Sequence, residues 1–241
     1  MPGGRSSRLL QRAVYEAATI VGKWPRASLA LARRRGHGVV LSERTEAVIE
    51  GYPCSGNSFA VAAFTLAQPA PIEIGHHTHT PAHLMAAVRR GLPAVALIRE
   101  PDDAVRDFLD SRPSLSARQA LRGYRRFYEP LLPIRDGLVV ASFADVTTDF
   151  GAVVRRVNER FDTSFREFER TPANMIRVGA LARAYFDERE GPGLPVVGRN
   201  QAPERPDPHP EPRGRSALFE SSALTRARAV FATLTGAPEE R

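Results

Sequence analysis

The stretch Ala47-Val48-Ile49-Glu50-Gly51-Tyr52-Pro53-Cys54-Ser55-Gly56-Asn57-Ser58-Phe59 decides the fold. An apolar run of strand length enters a Pro/Gly turn, and residues 58–68 continue as a helix that is apolar nearly all round and so suited to burial. A strand, a tight turn and a helix together aim backbone N–H groups and the positive end of a helix dipole at one spot, which favours an anion. Gly56 lets the backbone approach a bulky phosphate. Ser55, Asn57 and Ser58 add side-chain donors. The nucleotide-triphosphatase pattern GxxxxGK[ST] is missing: no lysine follows Gly56, and no acidic strand end offers an evident magnesium site. A plain strand–turn–helix junction would give the same local pattern.

Outward from this loop, short apolar runs alternate with helical patterns. Residues 39–41, 47–52, 72–76, 94–98 and 138–142 have strand length, and 94–98 suits a central strand buried on both faces. Residues 81–90, 101–110, 115–128 and 149–161 read as helices, with Pro81 and Pro101 at first turns and Gly91 at an end. The alternation predicts an α/β fold, a three-layer αβα arrangement around a central parallel sheet with right-handed crossovers. We expect a basic N-terminal leader over residues 1–36, a core over 37–190, a Pro/Arg-rich loop over 191–215 and a closing helix packed on the core within 216–241. In the leader, residues 9–21 read as a helix with Leu10, Val14, Ala17 and Ala18 on one face.

A length of 241 residues suits one such domain. The single cysteine, Cys54, excludes an internal disulfide and a Cys-rich metal site, in keeping with a reducing cytoplasmic setting. The N-terminal apolar run is interrupted by Gln11, Arg12, Glu16 and Lys23, which fits neither a signal peptide nor a membrane span. The net charge of +7 suggests anionic partners. Nearly all of it is arginine, Lys23 being the only lysine, as either a GC-rich coding bias or a basic surface would produce. A nucleic-acid module would be the third use of such charge. Without basic and aromatic residues interleaved, no nucleic-acid partner is expected.

A second segment, Gly-Leu-Pro-Ala-Val-Ala-Leu-Ile-Arg-Glu-Pro-Asp-Asp over residues 91–103, ends a buried strand at Arg99 and starts a helix at Pro101. An arginine at the carboxyl end of a parallel strand sits on the edge where open α/β sheets bind ligands, and its guanidinium can hold a phosphate bidentately. A salt bridge to Glu100 or Asp103 is the plain alternative.

Together the two segments resemble the sulfotransferases, enzymes with a P-loop-type α/β fold that use 3′-phosphoadenosine 5′-phosphosulfate (PAPS). Tyr52-Pro53-Cys54-Ser55-Gly56-Asn57-Ser58-Phe59 is similar to the family's loop YPKSGTTW, and Arg99-Glu100-Pro101 to its R[DE]P signature. The resemblance extends over about residues 47–165. It implies that Cys54, Ser55, Gly56, Asn57, Ser58 and Phe59 hold the 5′ end of PAPS and that Arg99 holds the 3′-phosphate. It also implies that Asp107 stands where the family has a serine, and that Arg213, in Arg213-Gly214-Arg215, is a loose counterpart of a basic loop closing the donor site. Cys54 replaces the family's loop lysine. A carboxylate at position 107 would repel a phosphate by on the order of 1–4 kcal/mol, and Arg106 or Ser111 would have to compensate.

Four of the six histidines cluster as His76, His77, His79 and His83. The resemblance makes His79, two residues before Pro81, the general base, a task that imidazole suits because its pKa lies near neutrality. A zinc site from His77, His79 and His83 is the rival reading, and surface or capping histidines are the bland one. The expected function is transfer of a sulfuryl group from PAPS to a hydroxyl of a small-molecule or carbohydrate acceptor, without a metal. The alternative is a catalytically degenerate protein of the same fold that binds a nucleotide. A cysteine nucleophile at a helix N-terminus is a further option, although the C-x5-R loop is missing because position 60 is Ala.

Overall fold

The computed structural model describes residues 3–36, 38–187 and 222–237. Four parallel strands form one sheet: β1 (Ala47–Gly51), β2 (Ile74–His76), β3 (Ala94–Ile98) and β4 (Val139–Ser142), in the order β2-β1-β3-β4. The chain therefore runs to one side of β1 and then returns to its other side. Crevices of this kind open at the carboxyl ends of the strands where the order reverses, here between β1 and β3.

Alternation along each strand sends side chains to two separate cores. Val48, Ala94, Ala96, Ile98 and Leu138 face one core, shared with α4 (Pro81–Arg89), α5 (Pro101–Ser111), α6 (Ala117–Tyr128) and the last helix, Ser222–Thr235. Ala47, Ile49, Val95, Leu97 and Ala141 face the other, shared with α3 (Asn57–Ala67), α7 (Phe143–Thr148), α8 (Phe150–Phe161) and α9 (Pro172–Asp187). Helices thus cover both faces of a parallel sheet. Local chemistry sets their ends. Thr80 caps α4 ahead of Pro81, Ser116 with Gln119 and Ser142 with Asp145 form capping boxes, and Asp149 caps α8.

Three features differ from the sequence expectation. Residues 39–41 make no sheet strand: Val39 forms an isolated antiparallel bridge with His76 on the open edge of β2, and pairing stops there because the Leu41 N–H donates to the His83 ring. Residues 172–187, to which the sequence reading assigned no element, form α9, which packs on α3. The leader is not set apart from the core. Its helices α1 (Gly3–Val21) and α2 (Pro25–Arg35) dock on α6 and α4.

The docking of α1 inverts its amphipathic pattern. Its polar side faces the protein: the Arg12 Nε donates to the Ser114 carbonyl at 2.6 Å, and Glu16 pairs with Arg122 and Arg126 at 3.3 and 2.5 Å. Tyr15 packs so closely against Gly123 that any side chain there would clash with its phenol oxygen. The face bearing Leu10 and Val14 is left to solvent. The Pro/Arg-rich loop, and Arg213 within it, lie outside the described residues; the closing helix is described from Ser222.

Candidate functional site

Four elements meet at the carboxyl edge: the loop after β1, the segment after β2, the end of β3 and the start of α7. The loop needs two left-handed residues, Cys54 (φ 67°) and Gly56 (φ 92°), and α3 starts at Asn57 with no side-chain cap. The N–H groups of Asn57, Ser58 and Phe59 therefore have no partner inside the helix. His77 (φ 58°) and His79 (φ 49°) are left-handed too, so three of the four non-glycine residues of this kind among the described residues lie on this edge. Such residues each cost roughly 1–3 kcal/mol and persist where surrounding contacts hold them, commonly at functional sites.

The structure spends the loop's side-chain donors internally. The Tyr128 hydroxyl donates to the Leu97 carbonyl at 2.7 Å. Its oxygen therefore accepts from the Tyr52 N–H at 3.1 Å and from the Ser55 hydroxyl at 3.2 Å. The Asn57 amide nitrogen lies 3.3 and 3.5 Å from the Tyr52 and Gly51 carbonyls, while its buried Oδ1 has no hydrogen-bond partner. Ser58 Oγ meets His77 Nε2 at 3.0 Å, and Phe59 packs edge-on against Phe168. What remains to hold an anion is the backbone of residues 56–59, not the hydroxyls and amide expected from the sequence.

Arg99 comes to this loop. Its Nη1 donates to the Cys54 carbonyl at 3.1 Å and to Asp107 Oδ2 at 2.6 Å, and its guanidinium carbon lies 4.3 Å from the Phe143 ring centroid. Tyr124 fixes the backbone beneath it by donating to the Arg99 carbonyl at 2.7 Å. The partner of Arg99 is thus Asp107, neither Glu100 nor Asp103. Arg106 is bound to Asp103 and Ser111 to the Phe108 carbonyl, so neither offsets Asp107. Burial, and then the negative charge of Asp107, push the Cys54 thiol up to about 12 against the smaller opposing pull of Arg99. That thiol stays protonated at neutral pH, which removes the cysteine-nucleophile option.

On the other side of the loop, Glu50 is fully buried. It accepts from the Thr78 N–H at 2.5 Å, the Thr78 hydroxyl at 2.8 Å, His83 Nδ1 at 3.0 Å and the His79 N–H at 3.2 Å. Burial alone would raise its pKa. The hydrogen bond from His83 leads the opposing effects, joined by that from the Thr78 hydroxyl, and Glu50 is held low, at about 2. The Leu41 N–H donates to His83 Nε2 at 3.0 Å, so the ring carries its proton on Nδ1 and is neutral. With both ring nitrogens engaged in the core, His83 cannot join His77 and His79 around zinc.

His79 Nδ1 donates to the Gly51 carbonyl at 3.1 Å, which places the lone pair of the neutral ring on Nε2. His77 and His76 meet through their Nδ1 atoms at 2.7 Å and lean on Tyr185 of α9. Sequence reasoning missed Glu50, Tyr124, Tyr128 and the Ser58–His77 contact. One signal was available: a carboxylate inside an otherwise apolar strand needs buried partners.

No known protein family matches this chain, and no curated protein or solved structure matches it. Among the described residues no helix is long and apolar enough to cross a membrane.

Proposed function

We propose that this protein is a sulfotransferase-like enzyme that moves a sulfuryl group from PAPS to a hydroxyl of a small-molecule or carbohydrate acceptor. The observation that carries the reading is the meeting of Arg99 with the loop at the switch point: one guanidinium touches the Cys54 carbonyl beside an uncapped helix start. Two anion-seeking features so close suit a ligand with phosphate at both ends.

In this reading the N–H groups of Asn57, Ser58 and Phe59 hold the phosphosulfate end, and Arg99 takes the 3′-phosphate in exchange for Asp107. His79 Nε2 removes the acceptor's hydroxyl proton as the new O–S bond forms. The old S–O bond breaks and its electron pair stays on the departing phosphate. Positioning and charge stabilisation supply most of the acceleration in such transfers. The loop has no lysine to meet the departing charge, and loss of one such contact typically costs about 100- to 1,000-fold in rate. A slow enzyme is therefore expected.

Titration calorimetry with PAPS and with its desulfonated 3′,5′-bisphosphate is the test. Binding of both, weakened at least about tenfold in Arg99→Ala, is the expected result. Failure of the folded chain to bind either overturns the proposal. Unchanged turnover in His79→Ala would remove the base from His79 while leaving the donor site standing.

A second reading, a degenerate fold that binds a nucleotide without turnover, is favoured by the 2.6 Å Arg99–Asp107 pair and the uncharged thiol at Cys54. Turnover that appears only in Cys54→Lys would select it.

A further inference from the structure

The net charge of the chain is not spread over it. Residues 1–42 carry eight basic residues and one acidic residue, whereas residues 43–241 carry twenty-six of each. The whole excess of +7 therefore belongs to α1, α2 and their flanks. A coding bias toward arginine would not leave the remaining 199 positions balanced.

The same unit exposes apolar side chains. Leu9 and Leu10 are 64% and 65% exposed, Trp24 50%, Ile20 40% and Val14 38%. Leu10, Val14 and Ala17 succeed one another at helical spacing on the side of α1 opposite Arg12, Tyr15, Glu16 and Thr19, which bond to the protein. The only acid of the unit, Glu16, is committed to Arg122 and Arg126 on that inner side. Arg8, Lys23, Arg26, Arg34 and Arg35 are exposed, and the Lys23 ammonium lies 4.7 Å from the Trp24 ring centroid.

We propose that the outer face of α1, with Trp24 and the basic residues around it, is a docking surface for an anionic lipid membrane. A helix with an apolar face and cationic flanks lies in the interface plane, with acyl chains taking its apolar side and headgroups its charges. Tryptophan is at home at that depth. The charge selects this occupant: an exposed apolar stripe alone would serve any partner, but one that runs into Trp24 between the exposed cations Lys23 and Arg26, in a segment whose single acid is bound on the inner side, complements a surface of negative headgroups. Docking there is interfacial and spans nothing.

Trp24 is the only tryptophan, so its emission reports on this face alone. The full chain is mixed with phosphatidylcholine vesicles and with vesicles containing roughly one-third phosphatidylserine. Expected are co-sedimentation and a blue shift of Trp24 emission with the anionic vesicles only, both lost as salt rises from about 0.1 to about 0.5 M. Leu10→Asp with Val14→Asp, and separately Lys23→Glu with Arg26→Glu, are each expected to weaken binding at least about tenfold. These side chains face solvent, and an unchanged circular dichroism spectrum checks the fold. Three results overturn the proposal: no shift of Trp24 on anionic vesicles; binding that the Leu10/Val14 variant retains in full, which is charge adsorption without insertion; or a lipid-free dimer that buries Trp24, which makes the face a contact between copies.

Discussion

The two halves of the carboxyl edge solve opposite problems. On the β1/β2 side, Glu50 is fully buried and takes four hydrogen bonds, and His83 has a partner on each ring nitrogen. On the β3 side, Arg99 and Asp107 form one ion pair whose side chains are 18% and 36% exposed. A closed network rigidifies what it holds, whereas a partly solvated pair has little net worth and exchanges readily. The histidine side is thus a closed frame around His79 and the Gly51 carbonyl, and the arginine side a partly solvated pair that can exchange partners.

The largest effect that could break this contrast is at Glu50. Glu50→Ala strands the donors of Thr78, His79 and His83, and should cost on the order of 3–5 kcal/mol in urea unfolding. The pH dependence has a defined sign. The folded pKa of about 2 lies below the ordinary 4.5, so Glu50's contribution is fully present above about pH 4.5 and is lost as pH falls toward 2. Glu50→Gln should flatten that acid limb. Equal acid sensitivity in wild type and Glu50→Gln would mean that the frame does not depend on the carboxylate.

Next in size is Tyr128→Phe. It leaves the Leu97 carbonyl, the Tyr52 N–H and the Ser55 hydroxyl without their common partner, for about 1–3 kcal/mol. A variant as stable as wild type would place the loop's support elsewhere.

On the exchangeable side, Asp107→Ser frees Arg99 and should tighten binding of a 3′-phosphorylated nucleotide about tenfold, or about 1.4 kcal/mol, with little change in unfolding. Weaker binding would show that Asp107 positions Arg99 instead of competing for it. The smallest effect belongs to Cys54. Removing the Asp107 charge lowers the thiol pKa, so maleimide should react a few-fold faster at pH 8 in Asp107→Ser. An unchanged rate would assign the raised pKa to burial alone.

Particular residues show why some of this was legible beforehand. The run 94–98 coincides with β3 because five aliphatic residues between a Gly-Leu-Pro turn and Arg99 suit a central strand. The loop was readable because Pro53 and Gly56 punctuate locally. Residues 39–41 were misread because a short apolar run does not say whether its N–H groups go to a strand or, as for Leu41, to a distant side chain. The Leu10/Val14 face was the face periodicity would bury, yet it is the one left in solvent. Helical spacing groups residues on a side and says nothing of which side meets the protein.

By itself the sequence determined the alternation of the four sheet strands with helices between residues 47 and 161, the parallel character of the sheet and the positions of its turns. All three follow from spacing and composition within a dozen residues. Only the tertiary structure decided that Glu50 is held by residues 28 to 33 positions away, that Arg99 is paired with Asp107, and that α1 turns its polar side inward to Ser114, 102 positions from Arg12. Those outcomes depend on the energy of burying one group against another distant in the chain, and no local pattern carries that energy.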